Sequence, residues 1–253
     1  MFGWLKSLFG NGGTGGAGAI APTFAADFDQ EESEIVPNAT EVEFVKSTVA
    51  QLEVLGLKIN AGAEFDLTAY TASILRIFEN SIGFHDVDET QNRFKMFSPY
   101  PELNVLWGMA ELSKYYPFVN AIAIGDHCYD VIEEEQFYEL ISQIFTITGS
   151  DWPLSEIDIV NFMLVRPGNM ARSTLYISSE NHKAEIQFRH WKDFDESIFG
   201  SLNRNCPPGV KSRFGYSGDG GSICILWLPP EQIQAVSKFV GLEFIVPTGE
   251  ENS

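Results

Sequence analysis

The sequence has few cysteines, few histidines and no long apolar run, and each shortage excludes a class of protein. The three cysteines, Cys128, Cys206 and Cys224, are odd in number and far apart. They form no CxxC pair of the kind found in zinc sites and redox motifs, so we expect free thiols in a reducing cytoplasm. No apolar run reaches the roughly 18 residues that a membrane-spanning helix needs. We therefore expect a cytoplasmic protein without a bound metal or cofactor.

Basic residues are also scarce. The chain has 16 Lys and Arg against 35 Asp and Glu, a net charge of −19, and residues 1–150 hold 22 of the acids but only 7 of the bases. Such a field repels the phosphates of nucleic acids and anionic membranes, and it attracts basic proteins. DNA or RNA binding is therefore disfavoured and a basic protein partner is expected, although the acidity could also serve solubility alone.

Apolar and aromatic residues, in contrast, are plentiful. They include 20 Phe, 8 Tyr and 5 Trp in 253 residues, which is enough for one large core or two smaller ones. One domain and two domains both fit this length. We expect four segments: a tail over 1–37, a mainly helical domain or subdomain over 38–150, an α+β domain over 151–247 and a polar tail over 248–253.

The N-terminal tail begins with a short aromatic segment followed by a glycine-rich linker. Its large apolar side chains are Phe2, Trp4, Leu5, Leu8 and Phe9. The segment is too short to form a stable helix alone. On a flexible linker it would suit an anchor that docks in a partner's groove or makes a peripheral membrane contact. The alternative is a frayed end, or one that packs against its own domain.

Residues 38–150 show mostly helical periodicity. Thr40 to Glu43 has the spacing of a capping box, and Gly56 is a plausible end for the helix that follows. Further helices are predicted over Asp66 to about Asn80, within 88–97, from Pro101 to Tyr115 and through Val131 to Ile144. The apolar run 118–124 predicts a buried strand.

After Pro153 the pattern changes to one typical of strands. Strands are predicted over 159–165, 173–178 and 184–191, followed by a helix over 194–202, a strand over 223–228, a helix over 230–239 and a strand over 242–246. Hairpins that precede helices predict an α+β fold with a mostly antiparallel sheet.

Asp126, His127 and Cys128 directly follow the predicted buried strand, where loops commonly carry function. A cysteine nucleophile needs a histidine within reach. Because sequence neighbours point apart in an extended segment, that histidine would be His85, His182 or His190. These residues suggest a hydrolase or transferase. One alternative is a metal site formed by Asp126, His127 and Asp130. The other is structural, with Asp130 capping the next helix and Cys128 filling the core.

Two other motifs have structural explanations. His85 and Asp86 resemble the adjacent His-Asp pair of metal-dependent phosphohydrolases, but that chemistry needs more histidines and the chain has only four. Asp88 with Gln91 fits a helix cap at least as well. Residues 215–222 are rich in glycine but precede a strand, whereas phosphate-binding loops follow one, so we predict a turn there.

Residues 166–213 form a net basic stretch, with eight bases and five acids. Within it, Arg166, Arg189 and Trp191 could bind an anion, because guanidinium groups grip carboxylates or phosphates and indole offers a stacking surface. On the predicted strand, Arg189 shares a face with Glu185, Gln187 and Trp191. The alternative is therefore a polar outer sheet face on which Glu185 neutralises Arg189.

These features favour a non-enzymatic acidic binding module, such as an adaptor, regulator or immunity-type protein, that acts through protein-protein contacts. Its organisation is of a type common among bacterial cytoplasmic proteins. The alternatives are an enzyme at Asp126, His127 and Cys128, and a small-anion sensor around Arg189. No motif indicates the oligomeric state.

Overall fold

A computed structural model describes residues 35–59, 65–108, 116–124, 133–162, 173–179, 182–188, 196–218 and 223–248. These residues form seven α-helices and six strands, and the strands make two antiparallel three-stranded sheets. The predicted α+β class with a mainly helical N-terminal half is therefore confirmed.

Four helices lie in the N-terminal half: α1 Ala39–Val54, α2 Leu67–Leu75, α3 Arg93–Phe97 and α4 Pro101–Trp107. Helix α1 begins at Asn38, whose side chain accepts a hydrogen bond of 3.0 Å from the Glu41 backbone N–H. The Glu41 carboxylate in turn accepts one of 2.9 Å from the Asn38 N–H. The capping box therefore lies two residues before the predicted one, because asparagine caps a helix at least as well as threonine.

A glycine follows the C-terminal end of two of these helices. Gly56, at φ +108°, follows the end of α1 as predicted. Gly108, at φ +59°, ends α4 at Trp107, so a helix continuous to Tyr115 was wrong. Both glycines adopt a left-handed backbone that other residues rarely adopt.

Helices α5 Glu134–Thr146, α6 Ile198–Arg204 and α7 Pro230–Val240 accompany the two sheets. The first sheet has the order β1-β6-β5, with β1 Ala121–Ile124, β5 Arg213–Gly218 and β6 Ile223–Leu228. The second is a meander of β2 Glu156–Val160, β3 Ser173–Ser179 and β4 His182–Phe188.

Five strand predictions need correction. Strand β1 begins at Ala121, three residues after its prediction, and β4 begins at His182, two residues before its prediction. Strand β2 begins at Glu156, three residues before its prediction, and residues 242–246 contribute only an isolated bridge between Ile245 and Tyr216. Strand β5 was missed because its residues 215–218 were predicted as part of a turn. A Cβ on Gly215 would lie 2.8 Å from the Ile233 Cδ1 atom of α7, so close helix packing explains a glycine within this strand.

Strand β6 lies between two hydrophobic cores. Its residues Ile223, Ile225 and Trp227 belong to the first core, with α5, α6 and the inner face of the second sheet. Cys224, Leu226 and Leu228 belong to the second core, with α1, α2, α4 and α7. All six residues of β6 are buried, which explains its continuous apolar run.

Polar side chains in the interior join helices and strands of this framework to one another. The carboxylate of Glu41, which is fully buried, accepts hydrogen bonds from Arg93 Nε at 2.6 Å and from Arg93 Nη2 at 2.7 Å. The Arg93 guanidinium carbon also lies 4.8 Å from the ring centre of Phe84. The amide of Asn203 bonds both the N–H and the carbonyl of Phe214 on β5. These groups are satisfied within the fold, so we assign them structural roles.

Candidate protein-binding surface

The site residues predicted from the sequence all lie outside the described residues. They are the aromatic segment Phe2, Trp4, Leu5, Leu8 and Phe9, the cluster Asp126, His127 and Cys128, and the anion-binding set Arg166, Arg189 and Trp191. Each of these three sites stays a prediction.

Two histidines considered as partners for Cys128 are described. His182, on β4, has its Nε2 atom 2.6 Å from the carbonyl oxygen of Asn205, and its ring lies edge-on to Trp152. His85 is exposed and lies edge-on to Phe84. These contacts hold His182 against the first core, while His85 remains accessible to solvent.

The two described cysteines are free thiols without the properties of a nucleophile. Cys224 is fully buried in the second core, and this burial raises the pKa of its thiol well above the usual value. Burial also raises the pKa of Cys206 to about 11, an effect that nearby Arg213 only partly opposes. Both thiols are therefore protonated at neutral pH, whereas reactive cysteines have lowered pKa values.

The acidic motif near His85 has a local structural role. The Asp88 carboxylate accepts hydrogen bonds from the hydroxyl and the N–H of Thr90, at 2.6 and 2.8 Å, and these bonds lower its pKa. Helix α3 is capped by Asn92, so the predicted pairing of Asp88 with Gln91 as a cap is wrong. Within the described ranges, no group of three or more His, Cys, Asp or Glu is placed to hold a metal ion.

A shallow, open groove of about 500 Å³ lies between α1 and α3. Phe44 and Lys95 are among its lining residues, and the Lys95 ammonium lies 5.4 Å from the centre of the Phe44 ring. Among its described lining residues, the exposed Glu43 is the one that carries a carboxylate. Ligand sites of enzymes are typically concave clefts that bury most of the ligand, and this open groove is not of that kind.

The most unusual surface feature is a run of the chain without cations. Residues 133–162 contain no Lys, Arg or His, but they carry seven carboxylates. All seven side chains are exposed: Glu133, Glu134, Glu135, Glu139, Asp151, Glu156 and Asp158. The signal was available in the sequence, because no Lys or Arg occurs between Lys114 and Arg166.

Part of this run forms the outer side of α5. The apolar stripe of the helix, which includes Phe137 and Ile141, is buried in the first core. Glu135, Tyr138 and Glu139 point to solvent, with Tyr138 45% exposed. Glu135 and Glu139 are four residues apart on one helix, a spacing at which like charges repel by a few tenths of a kcal/mol. Packing of the apolar stripe outweighs this repulsion.

The run continues into β2, where its exposed side chains lie on the solvent side of the sheet formed by β2, β3 and β4. We call this solvent side the sheet face. Its side chains are Glu156, Asp158, Val160, Thr174, Tyr176, Ser178, Lys183, Glu185 and Gln187, and they alternate with buried residues. The predicted placement of Glu185 and Gln187 on the outer face of their strand is confirmed by their exposure. The alternation also exposes 39% of Tyr176 and 38% of Val160.

Strand register places Tyr176 between two carboxylates. Asp158 on β2 is its partner on one side, and Glu185 on β4 is its partner on the other. Directly opposed residues have Cβ atoms about 5 Å apart. No cation among the described residues forms a salt bridge with Asp158 or Glu185. The row therefore presents an exposed aromatic ring flanked by negative charge.

No helix formed by the described residues combines the length and apolar character needed to cross a membrane. No protein-family model, curated protein sequence or solved structure matches this chain. A functional assignment therefore depends on the residues of this chain alone.

Proposed function

We propose that this protein is a non-enzymatic acidic binding module, an adaptor, regulator or immunity-type protein, whose partner is a basic protein. The observation that carries the proposal is the stretch 133–162, with seven exposed carboxylates and no cation. Charge of one sign speeds the encounter with an oppositely charged partner and disfavours acidic competitors.

Two exposed tyrosines add aromatic rings to this acidic surface. Tyr138 and Tyr176 are 45% and 39% exposed, and each lies on an acidic face. Tyrosine is enriched at protein interfaces, and its ring attracts the ammonium or guanidinium groups of a basic partner. Acidity that served solubility alone would not need aromatic side chains at these positions.

The proposal places the protein in the cytoplasm, where the described free thiols would stay reduced. The N-terminal segment Phe2, Trp4, Leu5, Leu8 and Phe9 would add a second contact, with the partner or with a membrane surface. Two weak contacts on one chain reinforce each other when they can be engaged together.

Affinity capture from the native host tests the function. The bait is the full chain, compared with a variant that removes three exposed acids of the run on α5 and β2, through Glu139→Gln, Glu156→Gln and Asp158→Asn. The control variant removes three exposed acids outside the run, through Glu53→Gln, Glu89→Gln and Glu231→Gln. We expect mass spectrometry to identify a basic protein that the first variant loses and the control keeps, with capture weakened as salt shortens the screening length. The proposal would be refuted if both variants captured the same proteins as the unmodified chain. It would also be refuted if the captured proteins were all acidic.

A further inference from the structure

We propose that the sheet face docks an extended, arginine-bearing segment of the basic partner, with Tyr176 at the centre of the contact. This inference rests on the proposed function and adds to it a location and a recognised side chain. The face is exposed and uncovered by any described element, and the charge of its described residues is complementary to such a segment.

The charge pattern of the sheet face favours a cationic occupant. Glu156, Asp158 and Glu185 are its carboxylates, and Lys183 is its one cation among the described residues. Lys183 pairs across the strands with Ser178, one row away from the row that contains Tyr176. Among the described residues, the centre of the face is therefore negative, and the one positive charge, that of Lys183, lies one row away from Tyr176.

The row Asp158, Tyr176 and Glu185 fits a guanidinium group better than an ammonium group. A planar guanidinium stacks on an aromatic ring and can direct its N–H groups to a carboxylate beside that ring. Both flanking carboxylates lie on neighbouring strands at cross-strand distance from Tyr176. An ammonium group would gain the charge attraction without the stacking, so arginine should be preferred to lysine.

The spacing of neighbouring rows suits an extended chain. Successive outward residues on a strand lie about 7 Å apart, which is also the repeat of every second side chain in an extended peptide. The row beside Tyr176 contains Val160, Thr174 and Gln187, which could receive a smaller side chain next to the arginine. The acidic side of α5 is convex and does not offer parallel rows, so we assign the contact to the sheet.

Binding of defined peptides to the full-length protein tests this site. The probes are fluorescein-labelled peptides that alternate serine with three arginines, three lysines or three glutamates, measured by fluorescence anisotropy at low salt. We expect the arginine peptide to bind more tightly than the lysine peptide, and the glutamate peptide not to bind. Tyr176→Ala should weaken arginine-peptide binding about three- to fivefold, whereas Tyr176→Phe, which keeps the ring, should preserve it.

Charge variants and shift mapping locate the contact. Asp158→Asn with Glu185→Gln should weaken binding at least about threefold, because two flanking charges are lost. The control pair Glu53→Gln and Glu89→Gln removes the same charge and should change affinity less than twofold. Amide chemical shifts of the ¹⁵N-labelled protein should move along 156–160, 173–179 and 182–188.

The possible failures are distinguishable. Arginine-peptide binding that ignores Tyr176→Ala and shifts the amides of α5 would overturn the docking face but leave the basic partner standing. Equal affinity for the lysine peptide would overturn the role assigned to the tyrosine ring. Absence of any cationic-peptide binding, together with no basic protein captured from the host, would overturn the docking face and the proposed function together.

Discussion

At the scale of single residues, burial lowers the reactivity of a cysteine thiol, that of Cys224, and of two tyrosine phenols. Tyr70 and Tyr116 pack in or against the second core, and their burial there raises the pKa of both phenols well above the usual value. The Tyr70 hydroxyl donates a hydrogen bond to the carbonyl of Val105, and that of Tyr116 donates one to the carbonyl of Leu106. These thiol and phenol groups serve packing and loop attachment rather than chemistry.

Thiol reactivity gives a prediction at this scale. At pH 8 a cysteine with a pKa of about 11 has roughly a hundredfold less thiolate than one with the usual value of 9.0. We therefore expect iodoacetamide to alkylate Cys206 far more slowly than an unhindered cysteine, with the rate rising as the pH approaches 11. Cys224 should remain unmodified in the folded protein. Peptide mass spectrometry after timed alkylation measures each site.

The same experiment bears on the enzyme alternative. Cys128 would be measured in parallel, and alkylation of Cys128 much faster than of a small unhindered thiol such as glutathione at pH 8 would indicate an activated thiol and favour a hydrolase or transferase. Rapid modification of Cys206 itself would contradict the pKa assigned to it. The raised pKa also means that the folded-state advantage of the protonated Cys206 is present below about pH 9 and declines as the pH rises through 11.

At the scale of elements, regular apolar periodicity was a reliable guide to position. The prediction for β6 was confirmed residue for residue, and those for β3 and α7 differ from the structure by one residue at one end. Periodicity failed where a single glycine controls the backbone. Gly108 ends a pattern that otherwise continues, and β5 contains Gly215 and Gly218, a residue type that is depleted in strands.

Strand register explains why the candidate surface was only partly predictable. Alternation within one strand was sufficient to place Glu185 and Gln187 on an outer face. The row of Asp158, Tyr176 and Glu185 requires three strands to pair in a particular register, which depends on contacts between strands. The net charge predicted a positively charged partner, but it did not predict which face of the protein that partner would contact.

Gly215 provides a prediction at the level of elements. Gly215→Ala should lower the free energy of unfolding by about 2 kcal/mol, because the added methyl overlaps Ile233 of α7. Ile233→Ala alone should cost about 3 kcal/mol by leaving a cavity. In the double variant the new methyl has room, so the loss should be smaller than the sum of the single losses. Urea unfolding of all four proteins measures the coupling, and strictly additive losses would rule out the contact.

At the scale of the whole molecule, the two cores share strand β6, and this sharing should make the stability of each core depend on the other. Helix α5 precedes the predicted domain boundary at residue 150, yet its buried side chains lie in the first core with the second sheet. Each core uses one face of β6. Loss of either core would expose apolar side chains of this strand to water, so the two cores should support each other.

Unfolding measurements test this dependence. Ile225→Ala in the first core and Leu226→Ala in the second should each destabilise the protein by about 3 kcal/mol. Both should lower the midpoint of one cooperative transition, with circular dichroism and tryptophan fluorescence superimposed. Two separate transitions, each sensitive to only one of the variants, would instead indicate independent domains.

The late position of β6 in the chain also has a consequence during translation. Strand β1 ends at Ile124, and its partner in β6 begins about 100 residues later, at Ile223. At typical rates of synthesis, β1 would wait roughly 5 to 20 seconds for that partner. Until then neither core can close, and the apolar sides of the helices already made stay open to chaperones. A ribosome that stalled before Ile223 would therefore hold a chain with two unfinished cores rather than one finished half.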